Sequence, residues 1–169
     1  MIKGEHEMYD SKNDTIKHIV EVSKTIGTIT DALDSRAKHH DKSKMESPEK
    51  EIFDIVTPRL QEVTYGSEEY KKNLSDMGKA LNHHYENNRH HPEHFAEDAR
   101  ALSCLPIDCM DLVDIVEMFC DWCAATKRHA DGDIYKSLKI QKKKLFMPET
   151  LYRILVNTAK NHNLGKIND

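Results

Sequence analysis

Eleven histidines stand among the 169 residues, and they are unevenly placed. Seven lie between residues 39 and 94. His39-His40-Asp41 sets two imidazoles beside a carboxylate. His83-His84 and the run Arg89-His90-His91-Pro92-Glu93-His94 add five more. Imidazole nitrogens and carboxylate oxygens form the ligand set of Zn, Mn, Fe, Co and Ni ions. The chemistry within reach is therefore that of one or two divalent transition metals. A histidine run taken alone also describes a solvated surface.

The carboxylates sharpen the choice. The segment 109–127 is apolar around most of a helical circumference, the pattern of a buried helix. Asp114, Glu117 and Asp121 nevertheless fall on it at spacings of three and four, hence on one face. A buried ionised carboxylate needs a partner, because isolation there costs several kcal/mol or more. A metal would serve, and so would Arg or Lys side chains. A solvated acidic stripe on an otherwise core-facing helix is the plainer alternative.

Helices must position these groups. A stripe of His18, Val22, Ile26, Ile29 and Leu33 predicts a helix from Ser11 to about Asp34. A short helix or turn carries Arg36 to Lys44. Ser47-Pro48-Glu49 predicts a helix with Ser47 as its cap and Pro48 first inside it, shortened or kinked at Pro58. Ser67-Glu68-Glu69 starts another, with the stripe Tyr70, Leu74, Met77, Leu81 and His84. Asp108 caps a helix from about Cys109 to Lys127. Asp131-Gly132-Asp133 turns the chain into a basic amphipathic helix, and Pro148 starts the last one, ending before Gly165. No segment reads as a strand, so the expectation is one all-α helical bundle over residues 1–169. His18 and His84 stand in their stripes where apolar residues are expected, so both are expected to point inward.

Composition bounds the function. The net charge is −4 with His neutral, hydrophobic residues are 38% and charged residues 32%. That profile suits a globular, helix-rich chain and argues against a polynucleotide binder. No apolar run approaches the ~18 residues of a membrane span, and the first residues lack a signal-peptide core. A cytoplasmic protein without membrane contact is expected. Cys104, Cys109, Cys120 and Cys123 read as core thiols in a reducing compartment. Apolar helical faces leave room for a homo-oligomer.

The order His18, His40-Asp41 and a late helical Asp121 resembles the H…HD…D pattern of the HD-domain metal-dependent phosphohydrolase superfamily. The resemblance spans residues 18–121 and extends to small His-rich phage and bacterial proteins. It implies an all-α fold in which His18, His40, Asp41 and Asp121 bind one divalent metal, with Asp114 the alternative to Asp121. His84, with His90 or His91, is similar to the insertion that holds a second metal in some members, with Asp41 bridging.

Such a site activates water against a phosphorus centre. The expected substrate is a small phosphorylated compound, a nucleotide or another phosphate ester. Arg36, one helical turn before His40, and Lys44, just after the dyad, are the expected phosphate contacts. Glu117 is placed to orient a ligand histidine or accept a proton. His94 and His129 are candidates to protonate a leaving group, with Glu93 a weaker acid. Lys136, Lys139 and Lys142–Lys144 read as a solvated helix face. Two other functions fit the same residues: an HD-like di-iron oxygenase, and a non-catalytic metal-stabilised module that binds a nucleotide or a partner.

Overall fold

Helical periodicity governs the chain, and no strand occurs among the described residues, which in this computed structural model are 9–63, 67–128 and 132–165. The α-helices are α1 (Lys12–His39), α2 (Glu49–Gln61), α3 (Glu68–Asp76), α4 (Gly78–Asn87), α5 (Ala96–Leu102), α6 (Leu112–Thr126), α7 (Ile134–Lys144) and α8 (Glu149–Asn161). Short 3-10 turns cover Lys42–Met45, Pro92–Phe95 and Pro106–Cys109. The all-α expectation holds.

The main core is built on α6. Ile115, Met118, Phe119 and Cys123 pack with Ile134 and Leu138 of α7, Met147, and Leu155 and Ala159 of α8. Met118 and Phe119 are almost wholly buried, each worth about 2–3 kcal/mol of transfer free energy. A second group forms where α2 packs on α3 and α4, burying Val56, Met77 and Ala80. The turn Pro92–Phe95 links the two, touching α4 on one side and the turn Pro106–Cys109 on the other.

Several boundaries differ from expectation. Helix α1 runs five residues beyond Asp34 and absorbs Arg36–His39, whose basic side chains suit a helix C-terminus. The chain then turns at Asp41, which takes a left-handed backbone (φ 56°) that Asp tolerates better than most residues. Ser47 does not cap α2. The carbonyl of Glu46 accepts from the amides of Glu49 and Lys50 at 3.1 and 3.0 Å, so no hydroxyl is needed. Helix α2 continues through Pro58. Asp111, not Asp108, caps α6, in a reciprocal pair with Asp114. Asp108 instead accepts from the Leu105 amide. The stripe from Tyr70 to His84 is split at Gly78 (φ 40°), and the Tyr70 and Leu74 side chains lie outside the described residues.

Two packing expectations are corrected. The α1 stripe does not face a core: no residue of α1 is buried. Its contacts with the body run to α6. Among the cysteines only Cys123 is buried, while Cys104 and Cys120 are exposed and Cys109 is half-buried. No described helix is long and apolar enough to cross a membrane.

Candidate metal centre

Three chain segments converge between α1, α4 and α6. The end of α1 supplies Arg36 and His40, one turn apart and therefore on one face. Opposite them lies the acidic face of α6, Asp114, Glu117 and Asp121. The last turn of α4 supplies His84, and the turn after it, closed by the His91 amide donating to the Asn88 carbonyl at 3.2 Å, supplies His90 and His91. Pro92 fixes the start of the next turn.

Four ligand atoms point at one another. Asp41 Oδ1 lies 3.4 Å from His84 Nε2 and 3.6 Å from His90 Nε2, and His84 Nε2 lies 2.9 Å from His91 Nε2. Ligand atoms bonded at about 2.0–2.1 Å to one ion sit about 2.9–3.4 Å apart in octahedral or tetrahedral sites. Asp41, His84, His90 and His91 therefore form a group of metal-binding dimensions. A second group, His40, Asp41 and Asp121, shares Asp41. Here His40 Nε2 stands 3.5 Å from Asp41 Oδ2 and 3.7 Å from Asp121 Oδ1.

The fit to a cation rests on what these atoms lack. Asp41 Oδ1 and both ring nitrogens of His90 are buried without a hydrogen-bond partner among the described residues. Such groups normally find partners, and each one left bare costs about 1–3 kcal/mol. His90 Nδ1 lies 3.2 Å from Glu117 Oε1, but without the alignment of a hydrogen bond.

The surrounding groups fix the ligands. Glu49, wholly buried at the start of α2, accepts from His84 Nδ1 at 2.9 Å and from His83 Nδ1 at 2.7 Å. This places the His84 proton on Nδ1 and leaves the Nε2 lone pair facing Asp41 and His91. Asn88, also buried, donates to Ser43 Oγ and to the His84 carbonyl, both at 2.8 Å. Glu117 accepts from His40 Nδ1 at 2.9 Å and from Arg36 Nη1 at 2.8 Å. Carboxylate partners of this kind set imidazole tautomers in metal sites.

Protonation states follow from the same neighbours. Burial, and then the nearby Lys44, hold His84 below its ordinary value. Burial and the adjoining His90 and His84 push His91 down to about 2. Both are thus neutral imidazoles near pH 7, the form that ligates. His40 goes the other way, pushed up to about 10 by Asp121 and Glu117. Burial would raise the carboxyls of Glu117 and Asp121, but His40 and His90, together with Arg36 beside Glu117 and Lys44 beside Asp121, outweigh it and hold both below the usual range.

A cavity of about 490 Å³ opens beside the cluster. Asp41, Asp121, His84 and His91 line it together with Lys44, Arg128 and Lys144, the last paired with Glu93 of the same lining at 3.0 Å. Phe53, Leu60, Met77, Leu81 and Trp122 provide apolar wall. Lys44 Nζ also holds Asp41 Oδ2 at 2.6 Å.

Of the residues singled out in the sequence, His40, Asp41, His84, His90, His91 and Asp121 are brought together. His18 is not. It is exposed on α1, 22 residues before His40 on one continuous helix and so about 33 Å away along the axis. Asp114 is closed off by arginines, with Arg36 Nη2 at 2.5 Å and Arg89 Nη2 at 2.8 Å, so of these two alternatives Asp121 is the one at the cluster. Arg36 directs its guanidinium to Asp114 and Glu117 and is not among the residues that line the cavity. Lys44 is at the cavity as expected. Glu117 takes the orienting position. His94 turns away, its Nδ1 donating to the Tyr85 carbonyl at 2.9 Å. His129 lies outside the described residues. Glu49, Asn88 and Ser43 escaped the sequence reading. Glu49 looked like an ordinary acid in a first helical turn, and its pairing with His83 and His84, 34 and 35 residues on, leaves no local signal.

A family model described as a family of unknown function (DUF5662) matches residues 7–167, and the chain belongs to that family. No curated protein and no solved structure matches it.

Proposed function

We propose that this member of the family is a cytoplasmic metal-dependent phosphohydrolase acting on a nucleotide or another small phosphate ester. The observation that carries the reading is the set of buried ligand atoms on Asp41 and His90 without partners among the described residues, beside a cavity that Lys44 and Arg128 also line. Asp41, His84, His90 and His91 would hold one divalent ion, and His40, Asp41 and Asp121 a second. Such an ion is a Lewis acid and lowers the pKa of water.

The chain's own groups have separate tasks. Glu49 and Glu117 hold His84 and His40 in the ligating orientation. Asp41 offers one oxygen to each group. Lys44 and Arg128 attract the ester's anionic oxygens to the cavity that Asp41 and Asp121 line. Phe53 and Trp122 receive its organic part. The HD-domain resemblance supports the reading through His40, Asp41 and Asp121, without His18.

The test is phosphate or nitrophenol release from nucleotides, p-nitrophenyl phosphate and bis(p-nitrophenyl) phosphate. Untagged protein is loaded in turn with Mn, Co, Mg, Zn or Fe. Turnover that falls by about 100-fold or more in Asp41→Asn is expected. No turnover above that of Asp41→Asn with any metal would overturn the proposal. Iron retention with oxygen uptake in place of hydrolysis would favour the oxygenase.

A further inference from the structure

Helix α1 is 28 residues long and buries none of them. A helix owes most of its stability in a protein to packing of an apolar face, so such an element implies a missing neighbour. The face exists. Ile19, Val22, Ile26, Ile29 and Leu33 recur at spacings of 3, 4, 3 and 4, the seam of a coiled coil. The first four are 59%, 42%, 59% and 38% exposed. Among the described residues, α1 hydrogen-bonds to the body at its far end, where Arg36, and His40 just beyond the helix, reach α6.

The flanks of this seam identify the occupant. Ser23, Gly27 and Thr30 lie on one side, His18, Thr25 and Ala32 on the other, and none is Asp, Glu, Lys or Arg. The hydroxyls of Thr25 and Thr30 bond back to the carbonyls of Glu21 and Ile26, at 3.0 Å each, which leaves their methyl groups outward. A Cβ added at Gly27 would meet nothing within 4 Å. The charges sit on the opposite face, and several pair within the helix: Lys17 with Asp14, and Lys24 with Glu21. A charged groove or a nucleic acid finds no complement on the seam, whereas an identical helix meets no like charge across it.

We infer that α1 packs along Ile19, Val22, Ile26 and Ile29 against the α1 of a second copy of this chain. The exposed apolar side chains of α1 leave on the order of 500 Å² per copy in water, so a symmetric pair covers on the order of 1,000 Å², the lower end of specific interfaces. This pairing is independent of the metal centre and of the phosphohydrolase reading.

Sedimentation equilibrium of the full untagged chain, from about 1 to 100 µM, tests it. The expected mass is twice the 19.6 kDa of one chain. Ile19→Glu with Ile26→Glu is expected to give one chain while retaining the same metal content, whatever it is, as the wild type, since neither residue is near the centre. Hydrogen exchange of the wild type adds a readout free of any variant: amides 19–30 are expected to be protected more strongly at high than at low concentration. A wild type of single-chain mass throughout would overturn the inference. So would a double variant of unchanged mass, or exchange over 19–30 independent of concentration.

Discussion

His90 carries the most information of any residue in the molecule. It is buried, and neither ring nitrogen has a partner among the described residues. A purely structural histidine would be better replaced by a ring that needs none. His90→Phe is therefore expected to make the metal-free protein more stable by about 1–2 kcal/mol, since it removes unsatisfied buried groups. The same change should abolish stabilisation by added metal. Urea unfolding in the presence and absence of chelator reads both; a loss of stability in the metal-free form would contradict this. His40 gives a test of opposite sign. Its value is raised to about 10 in the folded metal-free chain, against about 6.5 unfolded. Between these values the folded state binds more protons, so stability falls as pH rises. His40→Gln should flatten that slope over pH 6.5–10, and an unchanged slope would show that His40 is not the group responsible.

Helix α6 joins the hydrophobic core to the metal cluster. One side buries Ile115, Met118 and Phe119, and the other turns Asp114, Glu117 and Asp121 toward α1. Spacing alone made this two-sidedness legible, because three residues at intervals of three and four share a face whatever they touch. Their partners were not legible. Arg36 and Arg89 are separated from Asp114 by 78 and 25 residues, and nothing local marks the pairing. The His18 expectation failed for a related reason: a stripe gives the direction of a side chain on its helix, not its distance from the next ligand. The α1 stripe was correctly seen as apolar, but periodicity does not say which surface covers it. Asp114→Ala would take one partner from Arg36, which keeps Glu117, and leave the half-exposed Arg89 with Asp111 at 3.8 Å; losing these charge-assisted hydrogen bonds costs about 1.5–3 kcal/mol. Burial would raise the Asp114 carboxyl, but Arg89, the Asp111 amide and Arg36 outweigh it and hold it low. Its contribution is thus present above the ordinary carboxylate range and lost as pH falls through the depressed value. Denaturation of the variant should show the loss near pH 7 and a shallower acid dependence. A change under 1 kcal/mol would show the pair to be incidental.

At the scale of the whole molecule, the metal cluster and the main hydrophobic core are separate. The core of α6, α7 and α8 contains none of the proposed ligands. Chelation is therefore expected to leave far-ultraviolet helical signal largely intact. Hydrogen exchange should quicken in residues 84–95, where His84, His90 and His91 lose their common anchor. Global unfolding on chelation would contradict this division. An even response along the chain would do so too.

The central claim is that Asp41, His84, His90 and His91 surround one cation. Anomalous X-ray diffraction at the absorption edge of a loaded transition metal tests it directly, on crystals of the untagged protein. A peak is expected about 2.0–2.3 Å from Asp41 Oδ1 and from the Nε2 atoms of His84, His90 and His91. A metal bound only elsewhere, or these four side chains ordered around no peak in metal-loaded crystals, would contradict it.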